Sequence, residues 1–202
     1  MAAAAARIGP NAVTRLAEAL AGMRGEGAAR EVFARAGLAH HLEAPPERMV
    51  AERDVIALHA ALAAALPAAE AEAVAAEAGR LTGAYLLAHR IPAPMRLLLP
   101  WLPARMAARI LLAAVGRHAW TFAGSGRFAR EPGRGLRFVI AGGPLAGGRE
   151  AAGPVCAYYA ATFEALFRAL VHPRARIVAT AGEALGAPAC LLQARWSGRE
   201  SV

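Results

Sequence analysis

Lysine is absent from this sequence of 202 residues, so all 23 basic side chains are arginines and the formal net charge is +8. Acidic residues are absent between Glu77 and Glu131. That window contains eight arginines: Arg80, Arg90, Arg96, Arg105, Arg109, Arg117, Arg127 and Arg130. Leucines and two tryptophans lie between them, which predicts an anionic and largely apolar partner. Solvated arginines on separate helix faces are the alternative. No nucleic-acid partner is expected, because leucine and proline interrupt the basic residues.

Cysteines and long apolar runs are also scarce. The two cysteines, Cys156 and Cys190, are too few for a disulfide scaffold and suit a reducing cytoplasm. Residues 1–10 lack the basic start and the long apolar run of a secretory signal. Prolines and arginines interrupt the leucine-rich segment 97–115, whereas a spanning helix needs about 20 predominantly apolar residues. The sequence therefore predicts a cytoplasmic protein without a transmembrane helix.

The stretch "GSGRFA" at 124–129 has the G-x-G-x-x-A spacing of a dinucleotide-binding turn. Such a turn needs a helix that begins at the glycines, because the free N–H groups of that helix hold the pyrophosphate. Here Pro132, Gly133 and Gly135 would end a helix before two turns form, and no acidic residue follows about 20 residues on. The glycines instead predict a bend or bulge in a strand, or the close approach of a ligand.

Helical periodicity dominates the first 90 residues. Four segments show it: "GPNAVTRLAEAL" from Gly9, "AAREVFARAGL" from Ala28, the run from Val55 to Leu66, and "EAVAAEAGRLTGAYLLAH" from Glu72. In the last of these, the pattern places Val74, Ala78, Leu81, Tyr85 and Ala88 on the buried face. Four prolines between residues 91 and 103 predict a bent apolar cover, and a helix over 104–115 follows.

The period changes in the second half of the chain. "HAWTFAGSGRF" and "GLRFVIAG" predict an antiparallel pair of strands, and "GPVCAYYAATFEALFRALV" predicts a long helix that opens at Pro154. "RARIVATA" and "ACLLQARW" predict two further strands around a "GEALGAP" turn. Helices followed by strands favour an α+β fold over alternating βαβ units.

Four stretches, "ARIGPNAVTRLAEAL", "LTGAYLLAHRIP", "RHAWTFAGSGRF" and "PVCAYYAATFEALFRALV", together resemble the bacteriochlorophyll four-vinyl-reductase family of phototrophic bacteria. The resemblance implies a small-molecule-binding domain over 81–197, similar to vesicle-tethering TRAPP subunits, with an antiparallel sheet packed by helices and a buried pocket. An amino-terminal helical part over 1–80 would form one folding unit with it, and residues 198–202 would be a tail.

Domains of this kind often carry a zinc site made of one glutamate and three cysteines. Cys156 and Cys190 match the outer cysteine positions, but the middle cysteine would fall near Gly182 and the glutamate near Ala179. We therefore expect no bound metal and two buried thiols.

The resemblance implies reduction of the vinyl group of a divinyl chlorophyll precursor, yet no nucleotide or redox-cofactor site is readable, so no catalytic residue is assigned. We expect a tetrapyrrole-binding carrier or accessory protein. It would present divinyl protochlorophyllide or chlorophyllide to a partner reductase, or to another enzyme of the magnesium-chelatase pathway, in the cytoplasm or at the photosynthetic membrane. One alternative is that the chain is itself the 8-vinyl (4-vinyl) reductase and uses NADPH. Another is a membrane-surface adaptor that binds the bilayer through "LLLPWLP" as a homodimer.

Eight residues are expected to bind the magnesium tetrapyrrole. Arg90 and Arg96 would pair with its propionate carboxylate, and His118 or His89 would approach the magnesium. The apolar walls would come from four aromatic side chains: Tyr85, Trp101, Trp120 and Phe122.

Overall fold

A computed structural model describes residues 6–131 and 135–196 of the chain. Over these residues the fold is α+β, as the sequence predicts. The helices are α1 (Asn11–Arg35), α2 (His40–Glu43), α3 (Glu52–Ala65), α4 (Ala68–His89), α5 (Ala93–Leu98), α6 (Ala104–Arg117), α7 (Trp120–Ala123) and α8 (Arg149–Leu170), with short 3-10 helices at Leu99–Trp101 and Gly143–Gly147. The strands are β1 (Arg7–Ile8), β2 (Val50–Ala51), β3 (Arg127–Arg130), β4 (Leu136–Ala141), β5 (Arg176–Ala184) and β6 (Ala187–Arg195).

Strands β3 to β6 form an antiparallel sheet in the order β3-β4-β6-β5, and β1 pairs with β2 separately. Alternation along β4 turns Phe138 and Ile140 into the main core, where their partners across β6 are Leu192 and Cys190. Helix α8 joins the same core: the face expected from its periodicity, which includes Tyr158 and Leu170, is buried. The sheet and α8 therefore share one apolar interior.

Helices α4 and α8 approach each other closely at two glycines of α4. A β-carbon placed on Gly79 would lie 2.2 Å from the carbonyl oxygen of Tyr158, and one on Gly83 would lie 2.5 Å from the β-carbon of Ala165. The Thr162 hydroxyl group of α8 lies within hydrogen-bond distance of the Gly79 carbonyl oxygen, at 3.1 Å. Glycine is required at these two positions because any side chain would push the helices apart.

The structure corrects the buried face that the sequence predicted for α4. Val74 and Ala78 are buried as expected, but Leu81 and Tyr85 are only partly buried and Ala88 is exposed. The buried face follows small residues instead: Ala71, Val74, Ala75, Ala78, Gly79, Thr82 and Gly83. Close backbone approach outweighs side-chain size at this contact, a situation that hydrophobic periodicity does not detect.

The first predicted strand, over 118–128, is wrong up to residue 126. Trp120–Ala123 form the short helix α7, and strand pairing begins only at Arg127. Local hydrogen bonds favour the helical turn, because the Thr121 hydroxyl donates to the His118 carbonyl at 2.7 Å and the Ala123 N–H to the Ala119 carbonyl at 2.8 Å. Gly124, with φ of 58°, then redirects the chain.

The two predicted amino-terminal helices lie within α1 on either side of Gly25, whose φ of 84° is not helical and breaks the helix there. Two other boundaries differ from the prediction. Helix α8 begins at Arg149 rather than at Pro154, because Gly148 with φ of 98° turns the chain into the helix earlier. Strands β5 and β6 extend into the predicted "GEALGAP" turn and leave only Leu185 and Gly186 to connect them.

Between residues 91 and 103 the prolines interrupt the chain as predicted, but the pieces between them are helical. Pro92 precedes α5, Pro100 lies within the 3-10 helix, and Pro103 precedes α6, whose predicted position is confirmed. Across residues 6–131 and 135–196, no helix combines the length and the hydropathy that crossing a bilayer requires. Helix α4 runs across residues 80 and 81, and a domain division at that point stays a prediction.

Candidate functional site

The turn at Gly124–Gly126 holds a carboxylate of the chain itself. The Ser125 N–H donates to Glu52 Oε2 at 2.6 Å and its hydroxyl to Oε1 at 2.7 Å. A β-carbon on Gly124 would lie 2.1 Å from Glu52 Oε2, so a side chain at this position would displace this carboxylate. Strand β3 follows the turn, which confirms the prediction that no helix begins here. The motif therefore anchors the start of α3 to the α7–β3 connection.

Four of the predicted site residues gather at the carboxyl end of α4. The rings of Tyr85 and His89 are in contact, with their centroids 4.7 Å apart. Arg90 follows the helix as its C-cap residue. Arg96 reaches back from α5, and its Nη1 donates to the Leu87 carbonyl at 3.0 Å. This group, Tyr85, His89, Arg90 and Arg96, is called the α4 group below.

Three further predicted residues lie around α7. His118 is exposed, and its Nδ1 lies 2.9 Å from the carbonyl oxygen of Ala114. Trp120 is exposed, whereas Phe122 is half-buried and its ring packs edge-on against Phe128 and Phe163. The Tyr159 hydroxyl donates to the Phe122 carbonyl at 2.9 Å. This group, His118, Trp120 and Phe122, is called the α7 group below.

Trp101, the eighth predicted residue, lies at the end of the 3-10 helix between α5 and α6 and is strongly exposed. Within the described residues, no hydrogen bond, ion pair or ring contact joins the α4 group to the α7 group. The structure thus forms two separate clusters from residues that the sequence had assigned to one site.

The two cysteines are buried neighbours, as expected of apolar thiols. A hydrogen bond with the Cys156 thiol, together with burial, raises the pKa of Cys190 far above its usual range. Ala179 and Gly182, where the resemblance would place the other zinc ligands, lie on β5 opposite Leu192 and Ala189. In the part of the chain that the structure describes, no three His, Cys, Asp or Glu side chains cluster as a metal site would require.

A buried polar cluster between α3, α4 and α8 was not predicted from the sequence. Burial lowers the pKa of His59 from 6.5 to about 4, and its Nδ1 has no hydrogen-bond partner among the described residues. Its ring meets Tyr158 edge-on at 6.0 Å. Burial also raises the pKa of Tyr158 to about 12, and the Tyr158 hydroxyl lies 2.9 Å from that of Thr82. His59 lies on the apolar face of α3 with Val55 and Leu62, and this position was the only signal in the sequence.

An open cleft near β2 was also missed. Its volume is about 760 Å³, and its lining includes Arg7, His40, His41, Arg48 and Asp54. None of the eight predicted residues lines it. Arg7 is over 30 positions from the other four residues, which lie between positions 40 and 54 and match no motif recognised in the sequence.

Two known proteins resemble this chain over nearly its whole length. No family model matches the chain. It is 43% identical over 197 residues to the bacteriochlorophyll synthase 23 kDa chain of Cereibacter sphaeroides, covering 98% of this chain and 94% of that protein. It is 35% identical over 196 residues to the protein of the same name from Rhodobacter capsulatus, covering 97% of this chain and 90% of that protein. The chain belongs to the family of the bacteriochlorophyll synthase 23 kDa chain. Membership of the four-vinyl-reductase family stays a prediction.

Proposed function

We propose that this protein acts in bacteriochlorophyll biosynthesis as an accessory protein that binds a magnesium tetrapyrrole and presents it to a partner enzyme at the divinyl (proto)chlorophyllide vinyl-reduction step. The names of its full-length relatives support the pathway. The chemistry of the exposed histidine and arginine side chains supports the choice of ligand.

The observation that carries the proposal is the contact between the His118 ring and the Ala114 carbonyl oxygen. Its Nδ1 lies 2.9 Å from the Ala114 carbonyl oxygen, which can only accept a hydrogen bond. Nδ1 therefore carries the proton in the neutral ring, and Nε2 keeps a lone pair. A backbone carbonyl that fixes the tautomer in this way is a common support for a metal-binding histidine. His118 is exposed, so Nε2 can serve as an axial ligand to the magnesium of an incoming pigment.

The α7 group also offers an apolar surface beside this nitrogen. Trp120 lies two residues from His118 and is exposed. Covering the large apolar ring of a tryptophan would be favourable. A planar tetrapyrrole over Trp120 would cover such area. Phe122 supports this region from below through its contacts with Phe128 and Phe163.

In this proposal the α4 group would bind the carboxylate of the ligand. Arg96 uses one N–H group on the Leu87 carbonyl and retains others for a carboxylate. Arg90 is exposed and forms no ion pair within the described residues. An arginine can bind a propionate through two parallel hydrogen bonds. His89, whose ring contacts that of Tyr85, is the second candidate for the magnesium.

The test is an absorption titration of histidine variants with divinyl protochlorophyllide. His118→Ala should weaken pigment binding by about tenfold or more, and added imidazole should restore the lost ligand. His40→Ala removes an exposed histidine outside both groups and should bind as the unchanged protein does. If His89→Ala weakens binding and His118→Ala does not, the magnesium ligand is His89. Full affinity in both variants would contradict the axial-ligand assignment.

A further inference from the structure

The end of α5 and the 3-10 helix that follows it expose large apolar side chains to solvent. Leu97 is 69% exposed, Leu98 is 63% exposed and Trp101 is 87% exposed. Leu99, between them, is 2% exposed and belongs to the main core. The segment is therefore held in place by Leu99, and its neighbours point outward from a fixed backbone.

Helix α6 continues this pattern as an amphipathic helix. Its inner side is buried: Ala107, Ala108, Leu111 and Leu112. Its outer side carries Arg105, Met106, Arg109, Ile110 and Arg117, all exposed. A period of 3.6 residues places these outer residues on one continuous stripe of the helix. Apolar and cationic side chains thus share the surface that α6 turns to solvent.

The segment that forms this surface carries charge of one sign only, because no acidic residue occurs from position 78 to position 130. Arg109 and Arg117 form no ion pair with any of the described carboxylates. A large apolar patch rimmed by cations, rather than single scattered apolar residues, indicates a binding surface.

We propose that Leu97, Leu98, Trp101, Met106 and Ile110, named here the docking face, bind the surface of an anionic phospholipid bilayer. Leucine, methionine and tryptophan side chains would enter the boundary between headgroups and acyl chains, where tryptophan is favoured. The neighbouring arginines would contact the anionic headgroups. A lateral, interfacial contact of this kind requires no spanning helix.

Charge complementarity favours a bilayer over a second copy of the chain. A symmetric dimer through the docking face would bring the arginines of one copy against those of the other, with no acidic residue between positions 78 and 130 to balance them. An anionic bilayer offers a partner for both kinds of side chain: its apolar interior can contact the apolar residues, and its negative headgroups can contact the arginines. Membrane binding goes beyond the proposed function, because it needs no pigment and can be tested separately.

The experiment is co-sedimentation of the pure, pigment-free protein with phosphatidylcholine vesicles that either contain or lack phosphatidylglycerol. We expect binding to the anionic vesicles that weakens on addition of salt, by about fivefold per arginine that loses its headgroup contact. Trp101→Ser should lower the partition coefficient by at least about tenfold. The double variant Arg109→Gln, Arg117→Gln should remove the preference for anionic vesicles. Met23→Ser is the matched control, since Met23 is an exposed apolar side chain of α1 outside the docking face.

All these substitutions lie on the surface, so circular dichroism and thermal melting should show folded proteins in each case. Equal binding of the Trp101→Ser, Met23→Ser and unchanged proteins would overturn the proposal. A dimer in light scattering that becomes a monomer in Trp101→Ser, without vesicle binding by either protein, would overturn it in favour of a second copy. If the protein neither binds vesicles nor forms a dimer, the proposal is overturned as well. That result would not bear on pigment binding, which is a separate proposal.

Discussion

Gly79→Ala should destabilise the protein, although alanine is the better helix former. A β-carbon at this position would lie 2.2 Å from the Tyr158 carbonyl oxygen, 3.0 Å from the Tyr158 carbonyl carbon and 3.1 Å from the β-carbon of Ala161. Two of these neighbours are backbone atoms of α8, which cannot rotate away as a side chain can. The helices α4 and α8 must therefore separate by about 1 Å or more to restore ordinary contact.

The expected change follows from three terms. Forcing extra volume into a packed core costs about 1 to 3 kcal/mol. Separation of the helices would also weaken the contact of the Thr162 hydroxyl with the Gly79 carbonyl, at about 1 kcal/mol. Alanine regains about 1 kcal/mol in helix propensity. We expect a net loss of about 1 to 3 kcal/mol, or a fall in Tm of about 2 to 12 °C for a chain of this size.

Urea denaturation followed by circular dichroism measures this difference, and Gly22→Ala is the matched control. Gly22 lies in α1, is exposed, and a β-carbon there would meet nothing within 4 Å. The same substitution should therefore stabilise the protein at Gly22, by up to about 1 kcal/mol. If Gly79→Ala proved as stable as the unchanged protein or more so, the close contact of α4 with α8 would be refuted.

Three further predictions concern polar groups. Glu52→Ala removes the acceptor of both Ser125 hydrogen bonds and should lower the free energy of unfolding by about 1 to 2 kcal/mol in urea denaturation. Glu43→Ala, at an exposed position, should stay within about 0.5 kcal/mol of the unchanged protein. Equal effects of the two substitutions would argue against a stabilising role of the Glu52–Ser125 contact. Burial lowers the pKa of His59 from 6.5 to about 4, so the unfolded state binds a proton that the folded state does not, and stability should fall by about 3 kcal/mol as the pH drops from above 6.5 to about 4. His59→Leu should flatten that pH dependence of the free energy of unfolding, and an unchanged slope would assign it to other groups. Gly124→Ala should destabilise the protein at least as much as Glu52→Ala, because it combines strain at a φ of 58° with displacement of the Glu52 carboxylate; thermal melting of both variants gives the comparison.

The sequence was sufficient to predict the α+β class, the long helix α8, strand β4 and the broken apolar segment before α6. In each of these, hydrophobic period and proline placement agree with the tertiary contacts, as for Tyr158 and Leu170 on the buried face of α8. The buried face of α4 was predicted wrongly, because a helix that packs through Gly79 and Gly83 buries its smallest side chains rather than its largest.

The candidate site was harder to predict because its geometry depends on long-range contacts. The carboxylate that the glycine turn holds belongs to Glu52, which is 73 residues from Ser125 in the sequence. No motif relates the two positions. The same limit explains why residues assigned to one site form the separate α4 and α7 groups, whereas the tautomer of His118 depends on a carbonyl only four residues away.

A protein that carries a magnesium tetrapyrrole for another enzyme should bind the pigment without reducing it. The most direct measurement is an anaerobic titration of the pure protein with divinyl protochlorophyllide, followed by addition of NADPH to the same cuvette. We expect saturable shifts of the pigment absorption bands and no reduction of the vinyl group after NADPH is added. Conversion to the monovinyl pigment would contradict the carrier account and make the chain itself the reductase, and an absence of any band shift would contradict pigment binding altogether.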